Sequence, residues 1–191
     1  MTAPHPTAAR SARAWIVFLL VFAAGLVLDL WSKAAVFAWL LDVNPQSAQR
    51  QIIPGVLRFT LSTNAGIVFG LRLVPTMVIA ASLVAIAVVV YFFASSPRGA
   101  LWLHVALGMI LAGALGNLYD RLFSSVTLPG RPPSHREVRD FIDFGQAHYP
   151  YIFNIADVLL VVGVLLLLLS SFLYWRMDLR RETGGKKPAE G

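Results

Sequence analysis

The chain has 191 residues, of which 57% are hydrophobic and 14% charged, with a mean hydropathy of +0.67. Soluble domains are about 45–50% apolar and about 25% charged, so an apolar excess gathered in long runs marks an integral membrane protein. The formal charge is +6 and cysteine is absent, which excludes thiol catalysis, disulfides and thiolate metal sites.

Residues 1–13 (MTAPHPTAARSAR) read as a disordered tail. Arg10 and Arg13 before an apolar stretch resemble the start of a signal peptide. No cleavage region with small residues follows, so a retained first span is expected. Four spans of about 20 residues are read at about 14–31, 73–93, 100–118 and 151–175. Pro75 falls near the start of the second, where a missing N–H leaves no partner unsatisfied. SSPRG (Ser95–Gly99) is a tight turn. On the opposite side, residues 42–72 alternate Leu57, Phe59 and Leu61 with Arg58, Thr60 and Ser62, the pattern of a short strand with one apolar face. Residues 123–150, rich in proline and polar groups, read as a surface loop.

Residues 176–191 form a basic tail carrying Arg176, Arg180, Arg181, Lys186 and Lys187. Charge placed directly after a span is the mark of cytoplasmic anchoring, so no nucleic-acid partner is expected. Lysine and arginine divide eight to eight between the two sides, and this terminal cluster places both termini in the cytoplasm.

The polar residues of the spans fall on one membrane face. Asp29 and Lys33 lie at the end of span one, Asn117, Asp120 and Arg121 at the end of span three, and Asn154 and Asp157 at the start of span four. Asn64 and Asp140 join from the two long connections. Asp157 is six residues inside Tyr151, or roughly 9 Å deep. A carboxylate at a span's centre costs about 2.5–3.5 kcal/mol on insertion scales. Single residues of this kind have ordinary readings: a helix cap, an Asp29–Lys33 ion pair, an Arg121 that neutralises Asp120, a turn at Asn64–Gly66. Their gathering at one depth points to a polar site. Gly108, Ala112 and Gly116 add a small-residue stripe that lets helices approach closely.

Serine–histidine catalysis fits poorly, because His104 lies near the other end of span three and His135 and His148 are in a loop. Ser32 and Lys33 are adjacent on a helix and do not face each other. No histidine pair has metal-ligand spacing, so no metal or other cofactor is expected. Paired carboxylates remain. Two aspartates within a few ångströms share one proton. The charged member takes a proton from water as it attacks a peptide carbonyl; the protonated member polarises that carbonyl and later serves the leaving nitrogen. On the residues alone, Asp120 and Asp140 are equal candidates to partner Asp157.

DLWSK (Asp29–Lys33), NAGIVFG (Asn64–Gly70), GALGNLYDR (Gly113–Arg121), VRDFI (Val138–Ile142) and FNIAD (Phe153–Asp157) resemble, in this order, the motifs of lipoprotein signal peptidase (signal peptidase II), a bacterial intramembrane aspartyl protease family. The resemblance covers about residues 14–175. It implies an all-α membrane protein: a four-transmembrane-helix bundle with a small extracytoplasmic β platform and a surface loop, forming a single membrane-embedded peptidase domain. It also implies a site on the extracytoplasmic side of the bacterial inner membrane. The implied substrate is a prolipoprotein with a diacylglyceryl cysteine, cut just before that cysteine. The catalytic pair maps onto Asp140 and Asp157, and supporting residues onto Asn64, Gly66, Asn117, Asp120, Arg121 and Asn154, with Asp29 and Lys33 matching more loosely. A monomer in contact with membrane lipid is expected.

Two features depart from the family pattern: a longer stretch between Asp120 and Asp140, and Arg139 where an apolar residue is commoner. Asp143 matches no motif and is expected to be solvated. The strand at Leu57–Thr63 is expected to support the substrate peptide by edge pairing. The rival functions are a proton- or ion-coupled transporter, which requires polar residues through the full membrane thickness, and a non-enzymatic helical scaffold, for which a polar cluster has no use. The cytoplasmic halves of the spans are nearly bare of polar groups apart from His104.

Overall fold

The computed structural model describes residues 7–66, 75–147 and 149–184. Four helices are long and apolar enough to cross a membrane: α1 (Ala12–Val43), α2 (Pro75–Ser95), α3 (Leu101–Phe123) and α4 (Ile155–Gly184). Short strands β1 (Gln49–Ile53), β2 (Leu57–Asn64), β3 (Ser125–Val126), β4 (Ser134–His135), β5 (Val138–Asp143) and β6 (Ile152–Phe153) fill the two long connections.

The helices differ from the expected spans mainly at their ends. α1 continues past Trp31 to Val43 because SKAAVFAWLLDV contains no helix breaker before Asn44 and Pro45. α3 likewise continues past Leu118 to Phe123, and α4 past Trp175 to Gly184. α4 begins four residues later than expected, since Ile152 and Phe153 pair with β5 and Asn154 caps the helix. The start of the second span at residues 73–74 lies outside the described residues, as do residues 1–6 and 185–191 of the expected tails. The rest of the N-terminal tail is ordered: Thr7 bridges to Pro97, Ala8 is buried, and its N–H donates to the Ser96 carbonyl at 2.7 Å.

α3 is the centre of the bundle. Of its most apolar stretch 56% is buried, against 17–22% for the other three helices, whose remaining faces suit lipid. The small-residue stripe explains this. A Cβ at Gly108 would meet the Phe18 carbonyl at 2.9 Å, and Ala112 Cβ lies 2.9 Å from the Cβ position of Gly25. A Cβ at Gly116 would collide with the Asp29 carboxylate. These positions therefore seat α1. Gly113 faces the other way, where a Cβ would strike the Ala156 carbonyl and Leu160 of α4. Without a hydrophobic force between helices in lipid, such close packing is what holds them together.

The main sheet has the antiparallel order β1-β2-β5-β6. Phe37, Leu40, Leu61, Leu128 and Phe141 form the core between it and α1. β2 spans the predicted strand, but it lies between β1 and β5. Both its edges are taken over Leu57–Thr60, whereas β1 does not reach Ser62–Asn64, so among the described residues the expected peptide pairing keeps an edge only at that end of the strand. The stretch read as a loop carries β3 to β5, with VRDFI pairing on β2, a strand already laid down.

At the other end of the bundle, Phe18 stacks on Phe93 with centroids 4.1 Å apart. His104 is buried against Phe93, and its Nε2 lies 3.0 Å from Ser96 Oγ. His104 is thus tied to the α2–α3 turn.

Gly113→Val should lower stability by about 1–3 kcal/mol, the usual cost of overpacking, because backbone and Leu160 of α4 occupy the space. Gly99→Ala, where nothing lies within 4 Å, should stay within about 0.5 kcal/mol of the parent. Thermal unfolding in detergent checks both.

Candidate active site

The site is built around the N-terminus of α4. The first N–H groups of any helix lack intrahelical partners, and these lie inside the bundle. Asn154 Oδ1 accepts the Asp157 N–H at 3.0 Å, and Asp157 Oδ2 accepts the Asn154 N–H at 3.1 Å. This is a reciprocal capping box with aspartate at the third helical position. Asp29 of α1 supplies the next acceptor, its Oδ1 taking the Ala156 N–H at 2.8 Å. The cap expected at Asn154 is therefore real, and the same contacts fix the Asp157 carboxylate at the helix's positive end.

Lys33 is fully buried: it donates to Asp29 Oδ2 at 2.8 Å and Asn117 Oδ1 at 3.0 Å, and its ammonium forms an ion pair with Asp120 Oδ2 at 3.3 Å. Engaging the Asn117 oxygen in this way turns that residue's Nδ2 towards Asp157 Oδ1, 2.9 Å away. Asn117 Oδ1 also accepts from Asn154 Nδ2 at 3.2 Å. Ser32, by contrast, donates to the Asp29 backbone carbonyl at 3.0 Å and takes no part.

Asp140 reaches the cluster from β5, opposite Ser62 of β2. Its Oδ1 accepts from Asn154 Nδ2 at 2.6 Å. Burial and then the nearby Asp157 push its pKa up to about 7, against the opposing pull of Asn154, Lys33 and Asn64. Each raising influence disfavours the charged carboxylate. Asn154 thus touches both Asp140 and Asp157.

Asp120 is committed elsewhere. Besides Lys33, it accepts from Arg139 three times: backbone N–H to Oδ2 at 3.0 Å, Nε to Oδ1 at 3.0 Å and Nη2 to Oδ1 at 2.7 Å. Arg139 and Asp140 point to opposite faces of β5, as neighbours in a strand do, so the unexpected cation is paired with Asp120 rather than with Asp140. Arg121 donates to the Asn117 carbonyl at 3.2 Å and to the Gly66 carbonyl at 3.0 Å. Gly66 N–H in turn donates to Asn64 Oδ1 at 2.8 Å. The turn after β2 is tied to α3 by this path; Ile67–Gly70 of its motif lie outside the described residues.

Asp29, Lys33, Asn64, Gly66, Asn117, Asp120, Arg121, Asp140, Asn154 and Asp157 therefore join one network. The expectation that fails is Asp143. It is buried and accepts from Arg58 Nε at 2.6 Å, Thr60 Oγ1 at 2.8 Å and Gly145 N–H at 2.7 Å. Burial alone would raise its pKa, but the bonds from Gly145, Arg58 and Thr60 prevail and hold it below the ordinary value. Sequence reading missed this cluster and the Arg139–Asp120 clamp because both join distant segments.

Asp157 is the one carboxylate lining a cavity of about 510 Å³, whose other walls include Phe144, Tyr149, Phe153, Val158 and Val161. Val161 is among the exposed apolar residues of α4. An apolar chamber with an acid at its inner end opens along a lipid-facing helix.

Four apolar helices, a sheet above one end and a cluster of acids between them define a multi-pass membrane protein with a polar cluster at one end of its bundle. Comparison with known proteins gives the family: Signal peptidase (SPase) II matches residues 21–173. A lipoprotein signal peptidase of Rhodopirellula baltica is 39% identical over 88% of this chain and 79% of its own length. That of Mycobacterium bovis is 34% identical over 99% of this chain and 85% of its own. A solved bacterial membrane enzyme superposes with a TM-score of 0.63 at 25% identity, covering 100% of this chain and 99% of the other. The chain belongs to the signal peptidase II family.

Replacing Arg139 with leucine should leave the buried Asp120 with Lys33 as its remaining cation and lower stability by about 3 kcal/mol, as broken buried pairs do. Arg139→Lys, which keeps the charge but loses the fork, should fall between. Unfolding midpoints of the two variants and the parent provide the check.

Proposed function

We propose that this chain is an aspartyl endopeptidase that removes signal peptides from prolipoproteins, cutting before a diacylglyceryl-modified cysteine with Asp140 and Asp157 as the catalytic pair. The observation that carries the reading is Asn154, which bonds to Asp140 and to Asp157 at once. It supports a pair of acids held within one hydrogen-bonded unit. Asp120 is the less suitable partner, since its oxygens are already engaged by Lys33 and Arg139.

Asp140, with its raised pKa, holds the shared proton. Asp157, which receives donors from Asn117 and the Asn154 backbone, acts as the base. Water attacks the scissile carbonyl carbon and gives one proton to Asp157, while Asp140 passes its proton to the carbonyl oxygen. Collapse of the resulting diol breaks the C–N bond. Asp157 then delivers its proton to the leaving nitrogen, and Asp140 recovers one from the diol.

The acyl chains suit the apolar chamber beside Asp157. For the peptide, two edges lie near the acids: β6 pairs only with Ile142 and Asp143, so the stretch at Asp140 has no strand on that side among the described residues, and β1 stops short of Ser62–Asn64 of β2. Arg121 and Gly66 frame the approach from α3 and the β2 turn. Asp29, Lys33, Asn117 and Asn154 support the pair. The transporter reading is weaker, because below the acids the bundle closes with Phe18, Phe93, Leu107 and Leu111. A monomer in the bacterial inner membrane, with both termini cytoplasmic and the site on the outer side, completes the proposal.

Asp140→Asn and Asp157→Asn should each abolish cleavage of a diacylated prolipoprotein while insertion persists, since an amide cannot shuttle the proton. Asp120→Asn should slow turnover without ending it. Residual turnover in either of the first two would refute the pair.

The proton on Asp140 also sets a pH limit. Unfolded, this group loses its proton near its ordinary value of 3.8; folded, it keeps it to about 7. Between these values the folded state binds the extra proton, so stability from this site declines as pH rises towards 7. Activity should fall about tenfold per pH unit well above 7. A pH profile of kcat/KM tests this; a rate unchanged between pH 6 and about 9 would contradict it.

A further inference from the structure

A second polar site lies away from the acids, where α1 meets the edge strand β1. A cavity of about 250 Å³ there is lined by Asn44, Ser47, Gln49, Arg50, Gln51 and Arg58. No carboxylate is among them. Arg58 is partly compensated by Asp143 through its Nε, whereas Arg50 has no carboxylate partner among the described residues. Instead the Arg50 guanidinium lies 5.2 Å from the centre of the Trp39 ring, a cation–π contact that holds the charge in place without neutralising it. Asn44 Nδ2 fixes the start of β1 by donating to the Gln49 carbonyl at 2.9 Å.

Depth identifies what this site faces. α1 has 32 residues, or about 48 Å at roughly 1.5 Å each, against a hydrocarbon core of about 30 Å. Counting about 20 residues of core from Arg13, the charge that precedes the apolar run, brings the far boundary near residue 34. Trp39 then lies roughly 7 Å beyond it, in the headgroup layer, where tryptophan is favoured. Beside the cavity, Ile52, Ile53 and Val56 at the tip of the β1–β2 hairpin are exposed. Exposed apolar side chains next to uncompensated arginine are the composition of a surface that contacts anionic lipid.

We propose that this cavity binds the phosphate of an anionic phospholipid headgroup, with Arg50 as its main ligand and Arg58 as the second. Guanidinium recognises phosphate oxygens by paired N–H donors, and the amides of Gln49 and Asn44 lie within the same cavity. The site is separate from the proposed peptidase chemistry, and its test does not depend on that reading.

The test uses the full chain in nanodiscs of phosphatidylcholine with 0 to about 30% phosphatidylglycerol, reading retained lipid by native mass spectrometry. The wild type should retain phosphatidylglycerol over phosphatidylcholine. Arg50→Gln should lower that retention at least about fivefold and Arg50→Lys less, given the loss of paired donors, while Arg131→Ala on the exposed loop leaves it unchanged. The thermal unfolding midpoint in zwitterionic detergent should be unaltered in Arg50→Gln, which shows that the variant is folded. The proposal is overturned if Arg50→Gln retains the lipid as the wild type does, or if Arg131→Ala loses it equally. Equal retention of both lipids, or binding of inorganic phosphate without preference for the anionic lipid, also overturns it. Because the chain has no cysteine, a spin label at Val56→Cys gives an independent reading: contact with lipid is expected, and full exposure to water would count against a lipid-facing hairpin.

Discussion

Helix α4 begins inside the bundle, at a depth where water does not readily satisfy its unpaired amides. A helix end in that position needs acceptors from the protein itself. Three carboxylate or amide oxygens meet the need: Asp29 at Ala156, Asn154 at Asp157 and Asp157 at Asn154. The insertion cost of Asp157 is therefore offset locally by bonds to a helix N-terminus, where negative charge is favoured. Once Asp29 and Asn154 are committed to capping, the positions of Lys33, Asn117 and Asp140 follow from the hydrogen bonds that remain.

The buried charges divide into two groups. Asp29, Lys33, Asp120 and Arg139 alternate in sign through contacts of 2.8, 3.3 and 2.7 Å, and as two acids and two bases they carry no net charge. Such a network is poor evidence of added stability, because desolvation offsets much of the attraction, but each member is costly to lose once buried. Its consequence here is geometric. It clamps β5 to the end of α3 through Asp120 and holds Asn117 through Lys33, so the strand and the helix that carry Asp140 and Asp157 meet at a fixed distance. Asp140 and Asp157 lie outside this balance, while Asp143 pairs with Arg58. Asp140 accordingly shows the raised pKa of an acid buried beside a second acid.

Close packing of α3 permits the arrangement. Gly116 leaves room for the Asp29 carboxylate, and Gly113 for the start of α4. The same small residues that bring helices together in lipid create the space in which their polar ends interlock. At that end of the bundle the sheet caps this space, and the apolar chamber beside Asp157 opens along α4.

Much of this was legible in the residues. Four spans, a strand at Leu57–Ser62 and the convergence of polar groups on one face all follow from local periodicity and from the odd or even number of crossings. The residues alone left Asp120 and Asp140 equal. That Asp120 is engaged by Arg139 across 19 residues of chain is a contact that no pattern of periodicity encodes. The burial of Asp143 by Arg58, 85 residues away, and the capping of Ala156 by Asp29, 127 residues away, are of the same kind. Hydrophobic pattern determines which segments cross the membrane and which ends are polar, because burial in lipid acts on each segment separately. Which acid meets which base is decided only in the assembled bundle, because a hydrogen bond depends on positions fixed by packing between segments.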